Sequence, residues 1–295
     1  MQIFIPSYNR PWTTTTPALL DSCGVRYILL LRNSAQADLY LKNPAFRAIK
    51  KRIAVLDKDL SVNYAREVAR DELNYGDWCL QMDDNIKKFT VVEESFYRAA
   101  PELKEKPTRT EFGHIFNIPA TFQMFYTQVL TDSIQEAEKR GANIVGFSSW
   151  ENPYMRRRKF RDVGYTTNKC VLLRKTKLHW DQSEGHPAME EYALCAAQHL
   201  EYGRVLINNW GYPQGGHYEP GGLGTYEERL PQKIAACQNI MARWPGFAKL
   251  SWKKQTDREG ELWIPMRTLE QCERWRQEMK ASGSDPNQRD EPSRT

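Results

Sequence analysis

The sequence predicts an α/β domain: a mixed, mostly parallel sheet flanked by helices, with a helical appendage at its C-terminal end. Three observations carry this. Four short apolar runs open the chain, "QIFIP" (2–6), "RYILLL" (26–31), "RIAVL" (52–56) and "WCLQM" (78–82), and each ends in polar or turn residues. Runs this apolar suit strands buried on both faces, as in a parallel sheet. Between the third and fourth, "SVNYAREVARDEL" (61–73) places Val62, Ala65, Val68, Ala69 and Leu73 at helical spacing, with Ser61 as N-cap. A second block then repeats the alternation of strand and helix between about 120 and 210.

Residues 93–118 read as an irregular insertion containing Pro101 and Pro107. A helix spans roughly 120–140 and stops at Gly141. "NIVGFSS" (143–149) and "NKCVLLRK" (168–175) are strands, separated by the basic run "MRRRKFR" (155–161). "HPAMEEYALCAAQHLEYG" (186–203) is a helix, with Pro187 near its start and Gly203 at its end. Its apolar stripe is Met189, Tyr192, Ala193, Ala196 and Leu200. "RVLINN" (204–209) is a strand, and "GYPQGGHYEPGGLG" (211–224) reads as a mobile loop. From 226 the chain reads as amphipathic helix with an aromatic-basic piece at 250–263, and the polar tail 281–295 reads as disordered. The expected organisation is a catalytic domain over 1–225, its halves about 1–90 and 120–225, then a helical extension over 226–280.

A chain of 295 residues can bury a substantial core. It has no apolar run of 18 or more residues, so no membrane partner is expected. The opening "MQIFIPSYNRP" lacks the pattern of a signal peptide. The six cysteines show no zinc spacing, which suits reduced, mostly buried thiols and a cytoplasmic setting. The formal charge of +5 is mild, but five of the cations crowd into 155–161. Such a run is either a solvated loop or a nucleic-acid contact.

Parallel α/β sheets bind ligands at the carboxyl ends of their strands. Pro6, Ser7, Tyr8, Asn9 and Arg10 fall at one such end, Asp57 at another, and Asp83-Asp84-Asn85 at a third. Adjacent carboxylates where a core strand ends call for a cation or a ligand to answer them, or else they form a solvated turn.

Taken in order, "IFIPSYNRP", "LSVNYAREVARDE", "CLQMDDN", "NKCVLLRKTKLHWDQ" and "MEEYALCAAQHLEYG" resemble the GT-A nucleotide-sugar glycosyltransferases, over residues 2 to about 210. The resemblance implies a Rossmann-like GT-A fold and a UDP-sugar donor held by Pro6, Ser7, Tyr8, Arg10, Asp57, Asn63, Arg66 and Asp83. Tyr8 is a candidate to stack on the uracil, or simply core packing. The resemblance also implies a divalent metal, Mn²⁺ or Mg²⁺, near Asp84 and Asn85, with His217 a candidate third ligand or a bystander in its loop. Glu191 takes the place of the catalytic base of an inverting enzyme, and Glu190 adjoins it. The alternative for both is a favourable contact with the positive end of their helix, about 0.3–1 kcal/mol each. Two positions depart from the family pattern: Asn85 stands where an Asp is usual, and Glu191 where the base is commonly Asp.

The basic run borders the acceptor side, and Arg156, Arg157, Arg158, Lys159 and Arg161 suit a phosphate backbone. The helix motif, "MDDNI" and the Gly-rich loop are also similar to bacteriophage TET-associated DNA glycosyltransferases, which resemble the base J glucosyltransferase. That implies an acceptor hydroxyl on 5-hydroxymethylcytosine or a related pyrimidine in DNA. A protein, lipopolysaccharide or polysaccharide acceptor is the alternative within the same chemistry. A non-catalytic nucleic-acid-binding protein on the same scaffold is the alternative outside it.

Overall fold

The computed structural model describes residues 1–56, 62–92, 117–148, 159–167, 169–179, 189–216, 225–251 and 261–282. The predicted first strands form as β1 (Gln2–Ser7), β2 (Ile28–Leu31), β3 (Ile53–Val55) and β4 (Trp78–Met82). Helices α1 (Thr16–Asp21), α2 (Ser34–Leu41) and α3 (Pro44–Ala48) lie among them, and α4 (Val62–Asp71) precedes β4. After β4 the chain runs through β5 (Ile86–Val92) and β6 (Asn117–Ala120) into a long helix, α5, over residues 122–140. Within α5, Phe125–Leu130 is wound as π-helix, and Gly141 closes the helix at φ 71°. Next come β7 (Ile144–Phe147), β8 (Phe160–Arg161), β9 (Cys170–Arg174), α6 (Glu190–Tyr202), β10 (Leu206–Asn208) and β11 (Gly211–Gly215). The C-terminal part is α7 (Tyr226–Arg243), β12 (Lys249–Ser251), β13 (Glu261–Trp263) and α8 (Leu269–Ala281).

The main sheet has eight strands in the order β3-β2-β1-β4-β9-β7-β10-β8. The first four are mutually parallel, as are β7 and β10, while β9 and β8 run antiparallel to their neighbours. The expected mixed sheet is therefore present. One consequence matters for the site: because β9 is reversed, its start meets the end of β4, with Cys170 opposite Met82. The carboxyl ends of β1, β4, β7 and β10 and the start of β9 thus share one side of the sheet.

Alternation along the strands sorts their side chains into two cores. Phe4, Leu30, Cys79, Val171 and Ile207 face one, and Ile3, Leu29, Leu80, Leu172 and Leu206 face the other. The first core is covered by α4, α6, α7 and α8, including Tyr192, Leu200, Ile240, Trp244 and Trp275. The C-terminal helices therefore share the core of the sheet domain, and the aromatic-basic piece holds two antiparallel strands, β12 and β13.

Two further differences bear on function. Residues 211–215 are not loop but strand: β11 pairs antiparallel with β5, and β6 completes a three-stranded sheet. At Gly211 the strand passes so close to α5 that a Cβ would lie 2.5 Å from Val129 and 2.6 Å from Phe125, so no side chain fits there. The predicted N-cap Ser61 and Pro187, and the polar tail beyond 282, lie outside the described residues.

Candidate active site

The loop after β1 is held in an uncommon conformation. Asn9 has φ 54°, in the left-handed region. Gln36 fixes it there, accepting from the Asn9 backbone N–H at 2.9 Å and donating to Asn9 Oδ1 at 2.7 Å. This turn brings Ser7 and Arg10 to the end of β4. Arg10 Nη1 reaches Asp84 Oδ1 at 2.9 Å, and Ser7 donates a short hydrogen bond to Asp84 Oδ2. Ser7 also lies 2.5 Å from the Tyr40 hydroxyl, which accepts from the Arg10 backbone N–H at 3.1 Å. Asp84 is only 4% exposed, and burial raises its pKa, opposed by Ser7 and Arg10.

Asp83 behaves differently. Its side chain is 37% exposed, and its Oδ1 takes an ion pair from Arg66 Nη2 at 3.0 Å. Arg66 itself is 2% exposed, so it is no surface residue. It points off α4 toward the end of β4, where Gln81 Oε1 also accepts from it at 3.4 Å. Each of the two aspartates thus holds one guanidinium.

Asn85 turns its amide NH₂ to the Gly216 carbonyl at 3.0 Å, and Lys169 Nζ donates to the neighbouring Gly215 carbonyl at 3.1 Å. Asn85 Oδ1 is buried with no hydrogen-bond partner among the described residues. Gly215 is required here: a Cβ would lie 2.8 Å from the Asn85 carbonyl oxygen. Lys169, 8% exposed, had no sequence signal beyond its place at the start of a strand. The Asp83 backbone N–H donates to its carbonyl at 2.8 Å, which fixes the register of β9 against the acidic turn.

These contacts bear on the expected metal. Both oxygens of Asp84 are committed within the protein, Asn85 offers one sealed neutral oxygen, and Asp83 shares its carboxylate with Arg66. Hard cations want several accessible anionic oxygens. A metal held by Asp84 and Asn85 would compete with Arg10 and Ser7 for the Asp84 carboxylate. His217 lies outside the described residues, as does Asp57. A separate trio, Glu67, Asp71 and His179, has metal-like spacing. Its focus is already filled by Arg70 Nη2, which is 2.7 Å from Glu67 Oε1, 2.9 Å from Asp71 Oδ1 and 2.7 Å from His179 Nδ1.

Glu190 and Glu191 open α6, as expected, and Asn63 is buried at the start of α4. Burial, and then repulsion from Glu190, pushes the Glu191 carboxyl up to about 8, opposed by attraction to Arg66 and Lys233. The same Arg66 that holds Asp83 is therefore within electrostatic reach of Glu191, which links the two acidic pairs. Lys233, 5% exposed on α7, is not among the residues that the sequence motifs single out. The available signal was a lysine spaced three, four and seven residues from Ala236, Cys237 and Ile240, all fully buried on the same helix.

The acceptor-side residues divide. Arg156, Arg157 and Arg158 lie outside the described residues. Lys159 is committed to the fold, ion-paired to Asp132 at 2.9 Å and seated 4.3 Å over the Trp210 ring. Arg161, on β8, has its pKa lowered by burial and by nearby Arg267, and forms no ion pair among the described residues. Tyr165, half-buried, stacks on Tyr192 with ring centroids 4.3 Å apart. Tyr8 lies under the Arg32 guanidinium at 5.1 Å, and Pro6 sits within β1.

No protein-family model matches the chain, and no curated protein matches it. Among solved structures, S. aureus TarS 1–349 is similar at a TM-score of 0.42 and 9% identity, covering 82% of this chain and 66% of that one. A likeness at this level assigns neither substrate nor residue roles.

Proposed function

We propose that the protein is a glycosyltransferase that moves a sugar from a UDP-sugar to the hydroxyl of a hydroxymethylated pyrimidine in DNA. The observation that carries the transferase reading is the juxtaposition of Glu191 with Arg66 and Asp83. A carboxylate raised toward neutrality lies beside a cation-lined turn at the carboxyl ends of the strands. A general base works best with a pKa near the working pH. In the proposed step Glu191 takes the proton of the acceptor hydroxyl and that oxygen bonds to the anomeric carbon. The bond from that carbon to the diphosphate oxygen breaks with inversion, and the electron pair leaves on the diphosphate. Asp83, half-open beside Arg66, is suited to hold a donor hydroxyl. Arg10 and Arg66 are suited to the diphosphate, since charge-assisted bonds from guanidinium are among the strongest available.

The DNA acceptor rests on the basic run and on the sequence resemblance. One observation favours a neutral glycan instead: Lys159 is spent on Asp132 and Trp210. A mass assay separates these readings. UDP-sugars are incubated with protein and duplexes carrying cytosine, 5-methylcytosine or 5-hydroxymethylcytosine. The expected result is a hexose-sized gain on the hydroxymethylated strand alone, falling steeply with added salt. Donor hydrolysis without any DNA product would overturn the acceptor, and absence of both would overturn the transferase.

A further inference from the structure

The acidic turn gathers cations as well as carboxylates. Asp83 and Asp84 are the carboxylates of the turn. Around them stand Arg66 at 3.0 Å, Arg10 at 2.9 Å and Lys169, whose ammonium is fixed on the Gly215 carbonyl beside Asn85. Among the described residues of the turn itself, two carboxylates stand against three cations. A divalent cation that used Asp84 would have to break the Arg10 ion pair and the Ser7 hydrogen bond at a buried carboxylate. A diphosphate approaching the same place meets attraction, and fixed cations in a dry site stabilise developing charge without reorganising.

We propose that Arg10, Arg66 and Lys169 together hold the donor's diphosphate, and that Asp83 and Asp84 serve to position the two arginines, so that donor binding needs no divalent metal. This rests on the glycosyltransferase reading above. Asp84 is a positioning residue in this scheme. It orients Arg10, as Asp83 orients Arg66, and neither touches a metal.

The test is titration of UDP into the full chain by calorimetry, once with excess EDTA and once with Mn²⁺ or Mg²⁺. The expected result is binding of equal affinity in both, weakened about tenfold or more in Lys169→Gln and in Arg10→Gln. Arg10→Lys keeps a charge beside Asp84 and guards against loss of fold; it should bind UDP more tightly than Arg10→Gln. Binding that appears only when metal is added would overturn the inference and leave the transferase reading intact. Unchanged affinity in folded Lys169→Gln and Arg10→Gln would overturn the role of the cations. Absence of UDP binding under every condition, with the protein folded by circular dichroism, would remove the reading on which the inference rests.

Discussion

Two pairs of adjacent carboxylates lie near one another in this protein, and the fold surrounds them differently. Asp83 and Asp84 follow a strand, and each is answered by an arginine at hydrogen-bonding distance. Glu190 and Glu191 open a helix, and Glu191 is driven up to about 8 by burial and by its neighbour. Adjacency of like charge is thus not itself a functional signal. For the aspartates the fold delivers a guanidinium to about 3 Å, where a charge-assisted hydrogen bond forms. The answered pair is suited to holding cations in place. Glu191, pushed up to about 8, is suited to moving a proton.

The largest effect that separates the pairs is expected from Glu191→Gln. Transfer should fall by about 10²–10⁴-fold, the range for loss of a general base, while UDP affinity is kept. Stability should respond too, and its sign is fixed. Glu191 titrates at about 8 in the folded chain against an ordinary 4.5. Its contribution is therefore fully present below pH 4.5 and lost as pH rises through 8. Urea unfolding across that window should show wild type losing stability with pH more steeply than Glu191→Gln. Equal slopes would mean that Glu191 is not held in its protonated form.

Removing a member of the answered pair should do the reverse. Asp84→Ala leaves Arg10 and Ser7 facing a buried gap, and breaking a buried ion pair by taking one partner costs about 3–5 kcal/mol. Denaturant melts at neutral pH read this directly. A loss under about 1 kcal/mol, typical of an exposed pair, would show that Asp84 does not anchor Arg10. Gly215→Ala is expected to cost less, about 1–3 kcal/mol, the usual penalty for overpacking. Its Cβ would press on the Asn85 carbonyl at 2.8 Å, and the disturbance should weaken UDP binding more than it changes the pH profile. The opposite ranking would mean that β11 supports the base and not the donor end.

How far the sequence carries this picture depends on the kind of interaction. The first four strands and helices α4 and α6 are legible because burial writes periodicity into them. The direction of β9 is not, because "CVLLR" is equally apolar read either way, and its reversal is what places Lys169 beside Asp83. The strand "GYPQG" hides behind Gly and Pro, residues depleted from strands, because close approach to α5 and to Asn85 excludes larger side chains. Asp83, Asp84, Glu190 and Glu191 are visible as residues. The cations near them, Arg10, Arg66 and Lys233, come from three separate parts of the chain, so only the fold reveals which carboxylate each one faces.

The smallest expected effect is also the most specific to the comparison. Glu190→Gln removes one negative charge next to Glu191 and leaves the burial of that carboxyl in place. Because repulsion from Glu190 is the second cause of the upward shift, after desolvation, the acid limb of kcat/KM should move to lower pH. The maximum rate should change far less than in Glu191→Gln. Such a shift without loss of the limb is what a neighbour produces, since the base itself still titrates. A limb that stays near 8 in Glu190→Gln would mean that desolvation alone sets the base. A limb that disappears would transfer the role of base to Glu190, and the difference between the two pairs would then rest on the other glutamate.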